Sequence, residues 1–590
     1  MAFLVSTLRA KNLIYKLYFP TLLFLIGISL TTSTLSIFHP FNLLWFKAYS
    51  YVASILIFIL MMQPLININM KKFYKFFHIF IILLLLIAIS PPFIWDELNY
   101  GLTLLKYYKD VGYFQYNPNF SIYSLSPTNG DAILINFFSS FGYRAIHFFN
   151  ILTYLWLGLI SFRLFSQLNI KKEIKILGVI LILSTPSIYI FSPTIKLDNL
   201  IAVFFLSSIY LIIKKPLEKI DAIKNLYLSI ILFGFTLGIK FTSLYLIPIY
   251  CIFFYRYFYK FKDKFLHLAL LSITILLINT FWLIRNFVET GNPIYPIQTP
   301  FFTNRNSSYD NLTIFLKELL YGQKNMSFYQ STSLLEFFNK ISSQTWSLLF
   351  VIFPFIAISI FYHQEAYNSK IRPFLISGAV FLLELILFLS WELRHIVTLN
   401  FFIIISFIFY IDKKYKKTKN QKMTLNLITC LIVIFCSCHL LYYYRAPLKC
   451  QFDSQDMNCN IATTSDKKDS AINYINNKYP SANVATNISP LFYLKTRYLQ
   501  LSPLNNNLDS LCSKDREAFF AELRTKEINL IAYWPLINSK LIMSFDYKKS
   551  KGISNCYYQI EENINALEKN GRIKKIKVLN DVNIYELNKI

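Results

Sequence analysis

Phe76 to Tyr100 reads FFHIFIILLLLIAISPPFIWDELNY. The apolar run is long enough to cross the hydrocarbon core of a bilayer, which a chain does as a helix because lipid offers backbone N–H and C=O groups no partner. Pro91 and Pro92 stop it, and Trp95, of a residue type that favours the membrane–water interface, precedes the adjacent acids Asp96 and Glu97. Carboxylates are costly in hydrocarbon. A pair set at the end of a span is therefore either the start of a solvated loop or the mark of a functional site.

The rest of the chain has the same apolar character. Of 590 residues, 55% are hydrophobic, 18% aromatic and only 15% charged, and the mean hydropathy is +0.42. These values exclude a soluble globule and imply an α-helical polytopic membrane protein. The net charge of +27 would suit nucleic acid, but Lys and Arg recur in short clusters between apolar runs, the distribution that sets membrane topology.

Before Asp96 the chain has two further apolar runs, at about 17–38 and 46–66, and after it runs at about 146–162, 176–193, 198–213, 226–239, 241–255, 266–284, 345–362, 373–391, 396–411 and 423–443. With the run ending at Pro92 this predicts about thirteen transmembrane helices. The clusters Arg163 to Lys175, Lys214 to Lys224, Arg256 to Lys264, Lys370 to Arg372 and Lys413 to Lys422 then all fall on one side, as the positive-inside rule requires. The N-terminus is expected in the cytoplasm and Asp96 outside. The runs 226–239 and 241–255 are short and flank Gly238 and Lys240, so they read as two short helices meeting near the outer face.

An odd number of spans leaves the segment beyond Arg445 outside the cytoplasm, and there the composition changes. Lys467 to Tyr479, Lys514 to Lys526 and Glu561 to Lys569 have helical periodicity, and 483–486, 528–533, 573–578 and 582–587 read as strands. The expectation is a small C-terminal extracytoplasmic α/β domain over 445–590, after a transmembrane module over 71–444 with outer loops at 93–143 and 286–344. Cys450, Cys459, Cys512 and Cys556 lie in that domain, where two disulfides with any of three pairings are open to them. Cys251, Cys430, Cys436 and Cys438 sit in or near spans as small buried hydrophobes.

The outer face collects acids and bases from distant positions: Asp96, Glu97, Asp110 and Asp131 in the first large loop, Lys196 and Asp198 at the next outer turn, Lys240 between the short helices, Arg285 at the end of a span, and Arg394 with His395 at another. Leu98, Leu102 and Leu105 have helical spacing, as for a helix lying on the membrane surface. The sequence has no nucleotide-binding glycine loop, no HExxH and no paired Asp-x-Asp for a nucleotide sugar.

With Trp95-Asp96-Glu97 in the first large outer loop, Asp198 at the following outer turn, GIKFT at 238–242 and RNFVETGNPIYP from Arg285, the chain resembles the GT-C superfamily of polyprenyl-phosphate-dependent membrane glycosyltransferases, such as protein O-mannosyltransferases and lipid A aminoarabinose transferases. The likeness covers roughly residues 76–400. Two extra spans precede the acidic loop here, so residues 1–70 read as an added transmembrane hairpin. The resemblance implies transfer of a sugar from a polyprenyl-phosphate donor to a hydroxyl on a glycan, lipid or protein acceptor, at the outer face of the cytoplasmic (inner) membrane. Asp96 is then the base, assisted by Glu97, and Asp198, Lys240, Arg285 and Arg394 are the substrate-binding residues. No cofactor is implied beyond a divalent cation, for which Asp96, Glu97 and Asp198 have the ligand chemistry. The alternatives are a transporter or flippase of lipid-linked sugars, whose acids belong near the bilayer midplane, and an oligosaccharide polymerase or ligase.

Overall fold

The structure, a computed structural model, describes residues 2–38, 41, 43–66, 77–92, 97–115, 125–214, 219–258, 264–295, 371–387, 397–416, 418–445, 448, 469–488, 491–501, 511, 513–535, 553–579 and 582–588. The chain divides into two compact units. One comprises Met1–Ser90, Pro127–Phe281 and Lys324–Leu448, and the other Pro91–Ser126, Trp282–Gln323 and Lys449–Ile590.

The first unit is helical. Its described elements are α1 (Ala2–Phe38), α2 (Leu44–Ile66), α3 (Phe77–Ala88), α5 (Asn129–Phe141), α6 (Tyr143–Gln167), α7 (Lys172–Leu183), α8 (Pro186–Tyr189), α9 (Asp198–Ile213), α10 (Lys219–Leu237), α11 (Leu246–Phe258), most of α12 (Lys264–Thr290), α13 (Arg372–Leu387), α14 (Val397–Lys414) and α15 (Lys419–Tyr443). Among the described residues, Tyr18–Ile37, Leu44–Pro64, Tyr143–Gln167, Phe265–Thr290 and Lys419–Tyr443 are long and apolar enough to cross a membrane. α9 packs between α6 and α10, while α1 and α2 pack together against α5.

Several polar groups inside this unit are paired across helices, where an unpaired one would cost on the order of 1–3 kcal/mol. Tyr18 and Ser207 hydroxyls lie 2.9 Å apart, and Trp156 Nε1 donates to the Met61 carbonyl at 2.9 Å. Asn136 on α5 donates to Thr32 of α1 at 2.9 Å and accepts from Ser50 of α2 at 3.1 Å. The two N-terminal helices are thus bonded to α5, α6 and α9.

The helices break where the sequence says they should in one case and against expectation in another. α10 ends at Leu237 and, after Gly238 and an extended Lys240, a 3₁₀ turn (Phe241–Tyr245) leads into α11. That is the break read between 226–239 and 241–255. The apolar run 176–193, by contrast, is not one helix: α7 stops at Leu183, and Pro186, at the start of α8, lacks the N–H that continuation would need.

The second unit is built on a five-stranded sheet of β1 (Asn483–Thr486), β2 (Arg497–Gln500), β3 (Leu530–Tyr533), β4 (Ile573–Leu579) and β5 (Val582–Leu587), in the order β2-β1-β3-β5-β4. β1 runs parallel to β2 and β3, and β5 antiparallel to β3 and β4. Alternation along the strands sends Val484, Leu530, Ala532 and Ile584 into one core with Ile472 and Ile475 of α16 (Asp469–Lys478). The other face receives Ala485, Ile531, Tyr533 and Tyr585, with Phe519, Phe520 and Leu523 of α17 (Arg516–Thr525) and Ile560, Ile564 and Leu567 of α18 (Ile553–Lys569). The expected helices and four of the strands are present; β2 was not expected.

This unit reaches beyond 445–590, because residues from two earlier loops complete its core. Leu125 and Tyr295 are fully buried among the side chains of the second core. α4 (Leu102–Val111) packs against the 3₁₀ turn Leu491–Tyr493, and Lys106 Nζ donates to the Leu494 carbonyl at 2.8 Å. The apolar stripe of Leu98, Leu102 and Leu105 is therefore buried in protein rather than laid on lipid. The four cysteines expected to form disulfides, Cys450, Cys459, Cys512 and Cys556, lie outside the described residues or their described side chains.

Candidate functional site

In the helical unit the site is carried by two breaks in the helices. Asp198 is the first residue of α9, where the unsatisfied N–H groups of the helix start favour a negative charge. It is 7% exposed. Lys240 leaves α10 in an extended conformation, and its Nζ donates to Asp198 Oδ1 at 3.1 Å. The lysine side chain is 30% exposed and that of Asp198 8%. A buried carboxylate thus has both a cation and a helix N-terminus against it, and the cation keeps access to solvent. One of three ammonium protons goes to Asp198, which leaves the group able to donate to a further acceptor.

The turn that delivers Asp198 is fixed by short polar links. Lys196 N donates to Thr194 Oγ1 at 3.2 Å, and Asn199 Nδ2 to the Ile188 carbonyl at 3.2 Å. Asn150 of α6 donates to the Thr194 carbonyl. One turn earlier on α6, His147 Nδ1 donates to the carbonyl of Ala88, the last residue of α3, at 3.1 Å. Asn150 and His147 carried no signal in the sequence, since each is a lone polar residue in an apolar helix.

In the sheet unit, Glu97 opens a π turn (Glu97–Gly101) and is 1% exposed. Arg285 is 9% exposed, and the Nε–Nη2 edge of its guanidinium bonds protein groups. Nη2 donates to the Ser126 carbonyl at 2.8 Å and to Asn286 Oδ1 at 2.9 Å, and Nε to Asn286 Oδ1 at 3.2 Å. Asn286 Nδ2 in turn donates to the Leu125 carbonyl at 2.9 Å. The two neighbours therefore clamp the end of α12 onto Leu125 and Ser126. The motif that follows closes the helix: Gly291 has φ +79°, and Thr290 Oγ1 accepts from Asn292 N at 3.1 Å. Asn286 is a residue that sequence reasoning passed over.

Asp96, Arg394 and His395 lie outside the described residues. Asp110 is exposed on α4, and Asp131 is half-buried in the first turn of α5. Of the expected site residues, then, Asp198 and Lys240 are brought together in one unit, and Glu97 and Arg285 belong to the other. No three His, Cys, Asp or Glu side chains converge as metal ligands among the described residues.

The family model described as dolichyl-phosphate-mannose-protein mannosyltransferase matches residues 72–290, a stretch that contains Asp96, Glu97, Asp198, Lys240 and Arg285. No curated protein matches the sequence. Among solved structures, ArnT from Cupriavidus metallidurans in the apo state is similar with a TM-score of 0.54 at 10% identity, over 86% of this chain and 96% of that one. The same protein bound to undecaprenyl phosphate gives 0.51 at 11% identity, over 88% of this chain and 98% of that one. At this identity the likeness is one of fold. Both comparisons fall in the GT-C superfamily, which is the resemblance carried by the sequence motifs.

Proposed function

With a GT-C fold as its frame, we propose that the chain is a membrane glycosyltransferase that moves a sugar from a polyprenyl-phosphate donor to an acceptor hydroxyl at the outer face of the cytoplasmic membrane. The observation that carries this reading is the Lys240–Asp198 ion pair at two helix breaks within the stretch matched by the mannosyltransferase family model. In the reaction the bond between the anomeric carbon and the phosphate oxygen breaks and a bond to the acceptor oxygen forms. Phosphate carries the electron pair away without an added acid, and the hydroxyl proton goes to a carboxylate, for which the choice is Asp96, the acid that follows the apolar run and Trp95 in the sequence. Lys240 meets charge developing on the phosphate. Glu97 assists the base, Asp198 holds Lys240 in place, and Asp198, Arg285 and Arg394 are with Lys240 the substrate-binding residues.

Sidedness follows from the basic clusters: a cytoplasmic N-terminus, about thirteen spans and an extracytoplasmic sheet domain that meets the acceptor. The added hairpin over 1–70, the module over 71–444 and the domain over 445–590 are the functional parts of this reading. The test is transfer from synthetic polyprenyl-phosphate sugars to envelope acceptors by the full chain in detergent. Turnover should fall by about a hundredfold or more in Asp96→Asn, the loss expected with a general base, while donor binding survives. Full turnover in Asp96→Asn with loss in Glu97→Gln or Asp198→Asn would reassign the base. Full turnover in all three would leave transport of lipid-linked sugars as the better reading.

A further inference from the structure

Lys240 and Asp198 are separated by 42 residues, and the segments that carry them close on the same two residues of α5, Asn129 and Gly130. Asn129 N, at the start of that helix, donates to the Gly238 carbonyl at 3.0 Å, two residues before Lys240. Its side chain reaches over Gly238: Asn129 Nδ2 donates to Asn279 Oδ1 of α12 at 3.2 Å, and Asn279 Nδ2 donates to the Gly234 carbonyl at 2.9 Å and the Ile275 carbonyl at 2.8 Å. Ser29 of α1 satisfies the Asn129 carbonyl at 2.8 Å. Asn129 and Asn279 are both nearly inaccessible. A Cβ on Gly238 would overlap both carboxamides, so the bridge forms only over a glycine.

Gly130 does the complementary task. A Cβ there would overlap Leu197 Cδ1 and come within 3.1 Å of Ile239 Cγ2. Leu197 is the residue before Asp198 and Ile239 the residue before Lys240. With no side chain of its own, Gly130 leaves the space that the Leu197 and Ile239 side chains occupy against α5. A core asparagine and a small residue at a helix contact are ordinary packing devices when met singly. Here both lie at one helix start, and each touches a neighbour of a charged partner.

We propose that Asn129 and Gly130 are positioning residues that set the Lys240–Asp198 pair, Asn129 by fixing the end of α10 and Gly130 by admitting Leu197 and Ile239. This rests on the reading of that pair as part of the transfer site. The effect of each on the pair passes through Gly238, Ile239 and Leu197.

The experiment follows Lys240 directly, so that it does not depend on transfer. The full chain in detergent is treated with a small amine-acylating reagent, and labelling of Lys240 relative to other lysines is measured by mass spectrometry, with thermal stability and transfer measured in parallel. An ammonium held against a carboxylate is shielded, so Gly130→Ala and Asn129→Ala should each raise Lys240 labelling several-fold and lower turnover about tenfold, the scale of one charge-assisted contact. Leu197→Ala added to Gly130→Ala should restore both by making room for the new methyl. Unchanged Lys240 labelling in the folded variants overturns the proposal. If Gly130→Ala does not fold, Asn129→Ala, which removes atoms instead of adding them, decides the matter by the same labelling ratio. Raised labelling with normal transfer upholds the positioning and removes the pair from the transfer site.

Discussion

Lys240 Nζ stands 3.1 Å from Asp198 Oδ1, and the two partners differ in depth: the carboxylate is almost wholly enclosed while the ammonium reaches solvent. Removing one charge of a buried pair is costly when the other is left stranded, and a charge that can turn to water is not stranded. Lys240→Met, which leaves Asp198 enclosed, should therefore lower thermal stability more than Asp198→Asn, by about 2 kcal/mol against about 1. For transfer the two substitutions should be non-additive, the double variant being little worse than the worse single one. Thermal unfolding in detergent and a double-mutant cycle on turnover test this. Equal stability losses and additive rate losses would mean that the two side chains act independently.

Arg285 uses the Nε–Nη2 edge of its guanidinium to hold two acceptors, the Ser126 carbonyl and Asn286 Oδ1. A lysine keeps the charge but cannot span two acceptors as a planar fork does. We expect Arg285→Lys to be nearly as destabilising as Arg285→Ala, and Asn286→Ala, which also releases the Leu125 carbonyl, to cost about 1–3 kcal/mol. Limited proteolysis of the sheet unit, followed alongside donor KM, separates the clamp from a phosphate contact. A stable Arg285→Lys with normal donor KM would show that the charge alone suffices at this position.

Local signals carried most of the fold. The apolar runs, the change of composition after Arg445 and the periodicity of α16, α17 and α18 were all legible because each element announces itself within its own residues. What was not legible is non-local. The bridge from Asn129 to Asn279 joins residues 150 apart, and neither has a pattern around it that names the other. Tyr295 gives no sign in the sequence that it belongs to the core of a domain centred two hundred residues later, and the four-residue strand β2 is too short for alternation to register. The acids and bases of the site were visible as outliers in apolar surroundings, whereas Asn286, His147 and Asn150 were not, since a carboxamide or imidazole in a helix is ordinary until its partner is seen.

Topology and redox state make a joint prediction. If the basic clusters face the cytoplasm, reporter fusions at Lys416 and at the C-terminus should be active on opposite sides of the membrane. Cys450, Cys459, Cys512 and Cys556 should then resist thiol labelling under denaturing, non-reducing conditions and become reactive on reduction. Fusions active on the same side, or four free thiols in protein from native membranes, would each remove the odd span that places the sheet domain outside.

The sheet unit should lose stability in alkali through phenols that are buried or half-buried in it. Burial, reinforced by the nearby Glu289 carboxylate, holds the Tyr107 phenol up to about 12. Burial likewise raises Tyr498, with Tyr107 and Asp110 adding to the effect, and Tyr585, with Glu568 contributing. The ordinary value for all three is 10.0. The unfolded chain therefore gives up these protons first, and the folded state binds more protons than the unfolded one from about pH 10 upward, so stability must fall as pH rises. Below that pH the stability linked to these groups is present in full; above it the loss grows until Tyr107 itself ionises in the fold, near 12. Thermal unfolding of the full chain at pH 8 and at pH 10.5 should show the lower melting temperature at the higher pH. Tyr498→Phe, which keeps the ring and removes the ionisable oxygen, should flatten that dependence, and Tyr107→Phe should flatten it further. A pH dependence unchanged in the double variant would assign the alkaline loss to other groups, and a melting temperature that rises between the two pH values would contradict the direction of all three shifts.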